Sequence, residues 1–167
     1  MQIALIGGVA LAMPMILWQA WAFISPGLTP VERRTARPWL PLALLLFCVG
    51  VAVAWVVLPF AVGFLLSFAS SDLVPLIAAD RYFAFVGTLV LVFGLAAEYP
   101  IVLVFLARVG ILSSAKLRNW RRGALVGIVI ASVVATPGTD LVSPIVLGIV
   151  LAALYELSIL LIRAGGR

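Results

Sequence analysis

Apolar runs long enough to cross a bilayer recur along this chain, and no other feature of the sequence limits its fold so tightly. The first, Ile3 to Ile24, is interrupted only by Gly7, Gly8, Pro14 and Gln19 and carries no charge. A hydrocarbon core ~30 Å thick is crossed by about 20 predominantly apolar helical residues, so this segment spans it. It has no basic stretch ahead of it and no A-x-A-like site behind it, and it exceeds the apolar region of a secretory signal. It therefore reads as a retained helix. Six acids and eleven bases among 167 residues cannot clothe a water-soluble globule. With 65% of residues hydrophobic and a mean hydropathy of +1.30, the soluble classes are excluded.

A second run extends from about Trp39 to Phe68. Its Pro41 suits a first helical turn, whereas Pro59 lies deep in the run and is expected to kink or end the straight part. The third, Tyr82 to Ala107, contains Glu98 and Pro100. Gly123 to Thr136 is apolar but brief, its 14 positions covering ~21 Å, less than a bilayer core. The last, Leu141 to Ile162, carries Pro144 and Glu156. Five transmembrane helices are predicted, giving an all-α polytopic membrane protein without internal repeat or second domain.

The intervening segments read as loops. Ser25 to Arg37 mixes turn formers with four charges, and Ser67 to Arg81 holds Ser70, Ser71, Asp72, Pro75 and Asp80. Arg108 to Arg122 is a basic connector in which Ser113 and Ser114 are placed to cap a short interfacial helix bearing Lys116, Arg118, Trp120, Arg121 and Arg122. Ten of the eleven basic residues fall on one side of the predicted spans, with Arg81 alone on the other. By the positive-inside rule the rich side is cytoplasmic, which places the C-terminus inside and, with five spans, the N-terminus outside. Two residues ahead of the first helix offer little to instruct export of that end, so an upstream span that starts inside is expected. The net charge of +5 is accounted for by topology signals and lipid headgroup contacts, and nucleic acid is not expected as a partner.

Histidine is absent and the single cysteine, Cys48, lies inside an apolar run, so zinc sites and cysteine–histidine catalysis lack their raw materials. No G-x-S-x-G, H-E-x-x-H or P-loop occurs, and neither an enzyme, a metal nor a cofactor is expected. Glu98 is the most informative residue. An ionised carboxylate near the middle of a 26-residue apolar run costs at least ~2.5 kcal/mol, and Pro100 distorts the same turn by removing a helical donor. Two readings compete: a protonated carboxyl acting as structural glue between helices, and a functional polar site, which intramembrane acids favour. Glu156, two helical turns before Arg163, reads equally well as a snorkelling or paired structural acid and as a functional one. Asp140 reads chiefly as a cap of the last helix, and Gln19 is a further polar candidate in the first. Glu32 stands beside Arg33 and Arg34 in a cytoplasmic loop, where an acid repels anionic lipid and suits a cationic partner. Gly7–Gly8 and the spaced pair Gly123 and Gly127 are read as places of close helix packing.

Taken in order, several of these segments resemble one family. Pro14-Met-Ile-Leu-Trp-Gln-Ala-Trp-Ala-Phe-Ile-Ser-Pro-Gly-Leu28 followed by Glu32-Arg-Arg34 resembles the second helix and first cytoplasmic loop of TatC, the multispanning receptor of the twin-arginine protein translocase. Phe93-Gly-Leu-Ala-Ala-Glu-Tyr-Pro-Ile-Val102 resembles that family's fourth helix with its embedded glutamate. Thr136-Pro-Gly-Thr-Asp140 and Leu154-Tyr-Glu156 resemble its last periplasmic turn and last helix. The family has six spans, and its first helix, first periplasmic loop and amino-terminal segment have no counterpart here; residues 1–167 are thus expected to form a single TatC-like domain truncated at the N-terminus. Ala97 replaces the aromatic that usually precedes the glutamate, and Pro144 stands where a glutamine is common.

The resemblance implies a receptor in the bacterial cytoplasmic membrane. It would bind twin-arginine signal peptides through Glu32, Arg33 and Arg34, and contact TatA-like and TatB-like single-helix subunits at Glu98 and Pro100. It also implies an oligomeric complex that exports folded proteins on the proton-motive force. The rival reading is a proton- or ion-coupled small transporter or channel subunit with Glu98 as the ion site.

Overall fold

The computed structural model describes residues 2–24, 26, 39–67, 78–108, 110–136 and 141–164, and every regular element among them is a helix. In chain order these are α1 (Gln2–Ile24), α2 (Trp39–Leu66), α3 (Ala79–Ala97), α4 (Tyr99–Arg108), α5 (Ser114–Asn119), α6 (Arg121–Ala135) and α7 (Val142–Ala164). Four stretches are long and apolar enough to cross a membrane: Ala4–Phe23, Pro41–Leu66, Ala79–Arg108 through α3 and α4, and Val142–Arg163. The fifth, α6, has 15 residues and a length of only ~22 Å. The protein is an all-helical, multi-pass membrane protein.

The helices depart from the sequence reading in three places. Asp80 and Arg81, read as loop, lie in the first turn of α3, where exposed N–H groups favour a negative side chain. Tyr82 to Ala107 is not one helix: α3 ends at Ala97 and α4 begins at Tyr99, with Glu98 between them. Of the two outcomes expected at Pro59, a kink or an end, the end does not occur: α2 continues through it to Leu66. The expected cap of the interfacial helix is present, the Ser113 Oγ accepting from the Lys116 N–H at 3.2 Å.

Helix α3 is the middle of the bundle, packed by α1, α2 and α7, while α4 rests mainly on α7. The seam between α2 and α3 closes at Gly50, where an added methyl would lie 2.4 Å from the Phe93 carbonyl oxygen and 2.9 Å from the Gly94 Cα. Gly94 in turn faces the Phe47 ring, and Gly87 faces Ile6 on α1. In hydrocarbon no water is expelled when helices meet, so close backbone approach at small residues supplies much of the contact energy. The glycines singled out from sequence are not the ones used. Gly7, Gly8, Gly123 and Gly127 have nothing within 4 Å of an added Cβ among the described residues. Leu89, Phe93, Leu147 and Tyr155 fill the core, and Leu11, Phe23 and Val134 point outward, as suits a lipid-facing surface.

Candidate functional site

Glu98 sits where one apolar span is cut into two helices. Its backbone closes both: the Glu98 N–H donates to the Leu95 carbonyl at 3.1 Å, and its own carbonyl accepts from Ile101 and Val102 at 3.0 and 3.3 Å. Pro100, two residues on, is fully buried and has no N–H to continue the ladder of α3, so the chain tightens at Glu98 and restarts as α4. Glu98 is 8% exposed and is the only buried carboxyl-bearing residue among those described. Its Oε1 has no hydrogen-bond partner among them.

Three of the buried hydroxyls behave differently. Ser132 donates to the Val129 carbonyl, Thr136 to that of Ser132 and Ser158 to that of Leu154, each within its own helix. Glu98 is a carboxyl held inside the span with one oxygen lacking such an outlet among the described residues, and an unsatisfied polar atom there costs several kcal/mol.

A second polar cluster joins the connector to α7. The Tyr155 Oη donates to the Leu117 carbonyl of α5 at 2.7 Å. Beside it Glu156 takes the first residue of α6 in a two-pronged ion pair, the Arg121 Nε meeting Oε1 at 2.5 Å and Nη2 meeting Oε2. Glu156 and Arg121 are 40% and 53% exposed. On α5 the Lys116 ammonium lies 5.7 Å from the centre of the Trp120 ring.

Of the candidates read from sequence, Glu98 and Pro100 are brought together at one break. Glu156 lies in the connector cluster and takes the paired role. Gln19 is exposed on α1. Glu32, Arg33, Arg34 and Asp140 lie outside the described residues. Sequence reasoning does not single out Arg121 and Tyr155 as contacts between the connector and α7. Thirty-five residues separate Arg121 from Glu156, so no local spacing signals their pairing, although an acid beside a tyrosine in an apolar helix points to a nearby donor.

The fold and these clusters define a multi-pass helical membrane protein with one buried, partly unpartnered carboxyl at a helix break. The family model for the Sec-independent protein translocase protein TatC matches residues 1–149. The chain is 41% identical over 157 residues to the TatC of Deinococcus radiodurans and 37% identical over 164 residues to that of Carboxydothermus hydrogenoformans, covering 93% and 98% of itself. It resembles a crystal structure of the twin-arginine translocase receptor TatC with a TM-score of 0.80 at 36% identity, over 98% of this chain and 72% of that one. The chain belongs to the TatC family, a family of protein translocase components and not of catalytic enzymes. It spans 58% and 68% of those two relatives' lengths, and 44% of a relative from Frankia casuarinae.

Proposed function

We propose that this protein is the receptor component of a twin-arginine translocase, residues 1–167 acting as a single TatC-like membrane domain. It resides in the bacterial cytoplasmic membrane with its C-terminus inside, in an oligomeric complex that moves folded proteins at the expense of the proton-motive force. At the cytoplasmic face the loop of Glu32, Arg33 and Arg34 binds the signal peptide. The Glu32 carboxylate accepts two hydrogen bonds from a planar guanidinium, a geometry that a lysine ammonium does not match. Within the membrane the break at Glu98 and Pro100 receives the transmembrane helix of a TatA-like or TatB-like subunit.

The observation that supports the second contact is the Glu98 Oε1, buried in the span without a hydrogen-bond partner among the described residues. A helix carrying a donor satisfies it and removes the cost of leaving it bare. The test of the receptor reading is capture of a twin-arginine peptide by membranes containing the protein and its small subunits, with a twin-lysine peptide as control. Preferential capture of the arginine peptide is expected. Equal capture of both, or of neither, refutes the receptor and leaves the ion-coupled transporter as the surviving account.

A further inference from the structure

We infer that Arg121, Tyr155 and Glu156 form a two-point latch that sets the depth and register of the short helix α6 against α7. Nothing in this inference depends on the receptor reading. Two consecutive residues of α7 hold two consecutive elements of the connector: Tyr155 takes the Leu117 carbonyl in α5, and Glu156 takes Arg121, the residue that opens α6. One bond fixes the approach of α5, the other fixes where α6 starts.

The need for such a device follows from the rest of α6. Its 15 residues are too few to be centred by their own length, and Val126, Val129, Ile130, Val133 and Val134 all point outward. The hydroxyls of Ser132 and Thr136 are spent on carbonyls of the same segment. Apolar contact is not directional, so the seam of α6 on α7 tolerates more than one register. A bidentate guanidinium–carboxylate pair does not, because both prongs are lost on a shift of one turn.

The latch also sets depth. Glu156 lies seven residues before Arg163, ~10 Å along α7. It holds the opening of α6 that far below the level at which the basic end of α7 emerges. Lys116, Arg118 and Arg122, all exposed, are drawn toward the same depth. Exposed ion pairs contribute little in water, but at this level the alternative for either partner is a lone charge beneath the headgroups, which is what makes the pair worth keeping.

The register has a natural reporter. A Cβ on Gly148 of α7 lies 3.9 Å from the Ser132 Cβ of α6, within the ~3.5–4.5 Å that a disulfide needs. In a Cys48→Ser background, the pair Ser132→Cys and Gly148→Cys is oxidised in the full chain in native membranes, and the yield is normalised to inserted protein. High yield is expected in the parent. Arg121→Glu and Glu156→Arg should each lower it about five-fold, and the charge-swapped double variant should restore it to within about two-fold, the coupling expected of contacting charged residues. Unchanged yield in both reversals, or a swap that restores nothing, overturns the latch. Glu156→Gln keeps size but turns one of the two acceptor oxygens into a donor, so only one prong of the Arg121 pair can survive, and it covers the case in which the reversals do not accumulate. A lowered yield in Glu156→Gln, with accumulation rescued by the swap, then supports the latch; parental yield in Glu156→Gln without rescue overturns it. Peptide capture is read separately, so the latch and the receptor fail by different measurements.

Discussion

Gly50→Ala should destabilise the bundle, and the size of the effect can be worked from the seam it sits in. The added methyl would lie 2.4 Å from the Phe93 carbonyl oxygen, 2.9 Å from the Gly94 Cα and 2.8 Å from the Ala97 Cβ. The first two are backbone atoms and cannot rotate aside. Restoring ordinary contact requires α2 and α3 to part by about 1 Å, a gap that forfeits a quarter to a half of each dispersion well it opens. The neighbours that lose contact are core residues, among them Ala54, Leu89 and Phe93. Overpacking of this kind costs about 1–3 kcal/mol. Against it stands the better helix propensity of alanine, worth at most about 1 kcal/mol, so the net loss is up to about 2 kcal/mol, and because the clashing atoms are backbone the upper part of that range is expected. Gly127→Ala, facing open space, receives only the gain. Unfolding of the purified protein in detergent, with both variants in parallel, measures the difference. A Gly50→Ala protein as stable as Gly127→Ala would show that the seam is not closed as described. Because Ala97 abuts Glu98, Gly50→Ala should also weaken any contact made at the break.

The remaining predictions address the two proposed contacts and the connector. Glu32→Ala should weaken signal-peptide capture far more than Glu32→Asp; a charged hydrogen bond worth about 1.5–3 kcal/mol corresponds to a loss of about ten- to a hundred-fold, and equal crosslinking to wild type and Glu32→Ala would remove the assignment. Glu98→Gln should keep much of the crosslinking to a small subunit and Glu98→Ala should lose it, with peptide capture little changed in either. Unchanged subunit crosslinking in Glu98→Ala argues against the contact, whereas intact crosslinking with abolished transport in Glu98→Gln favours ion coupling. Tyr155→Phe leaves the buried Leu117 carbonyl without its donor and should cost about 1–3 kcal/mol in the same unfolding assay; no loss would mean that α5 is held by packing alone.

What could be read from the sequence was whatever a residue imposes on its own segment. Apolar length fixed the spans, Pro100 marked a distortion beside Glu98, and Ser113 announced a helix start, because each acts within a few residues. The contacts between segments were not legible in this way. Gly123 and Gly127 have the spacing of packing glycines, whereas neither Gly50 nor Gly94 has a second glycine four residues away, yet only the latter two face a neighbour. Spacing says which residues share a helix face; it does not say which face has a partner. Glu156 was an acid with two equal readings until Arg121 appeared opposite it. Asp80 and Arg81 read as loop by their polarity, yet the first turn of a helix favours an acid and holds them both. The proposed peptide-binding loop rests on sequence alone, since Glu32, Arg33 and Arg34 lie outside the described residues.

The self-bonded hydroxyls carry a consequence for how the protein is made. Thr88, Ser132, Thr136 and Ser158 each return their proton to a carbonyl three or four residues back. A helix furnished in this way is finished as soon as it forms and can leave the insertion machinery for the lipid with those groups already satisfied. Two of the segments that carry such hydroxyls are nevertheless held back by another side chain. The one that bears Glu98 reaches the bilayer with a bare carboxyl, and α6 reaches it with Arg121 waiting for an acid synthesised 35 residues later. Helix α1 and the apolar α2 can therefore be released as they emerge, while α6 has to linger near the insertion site until α7 arrives, so that the order of synthesis becomes the order in which the bundle locks.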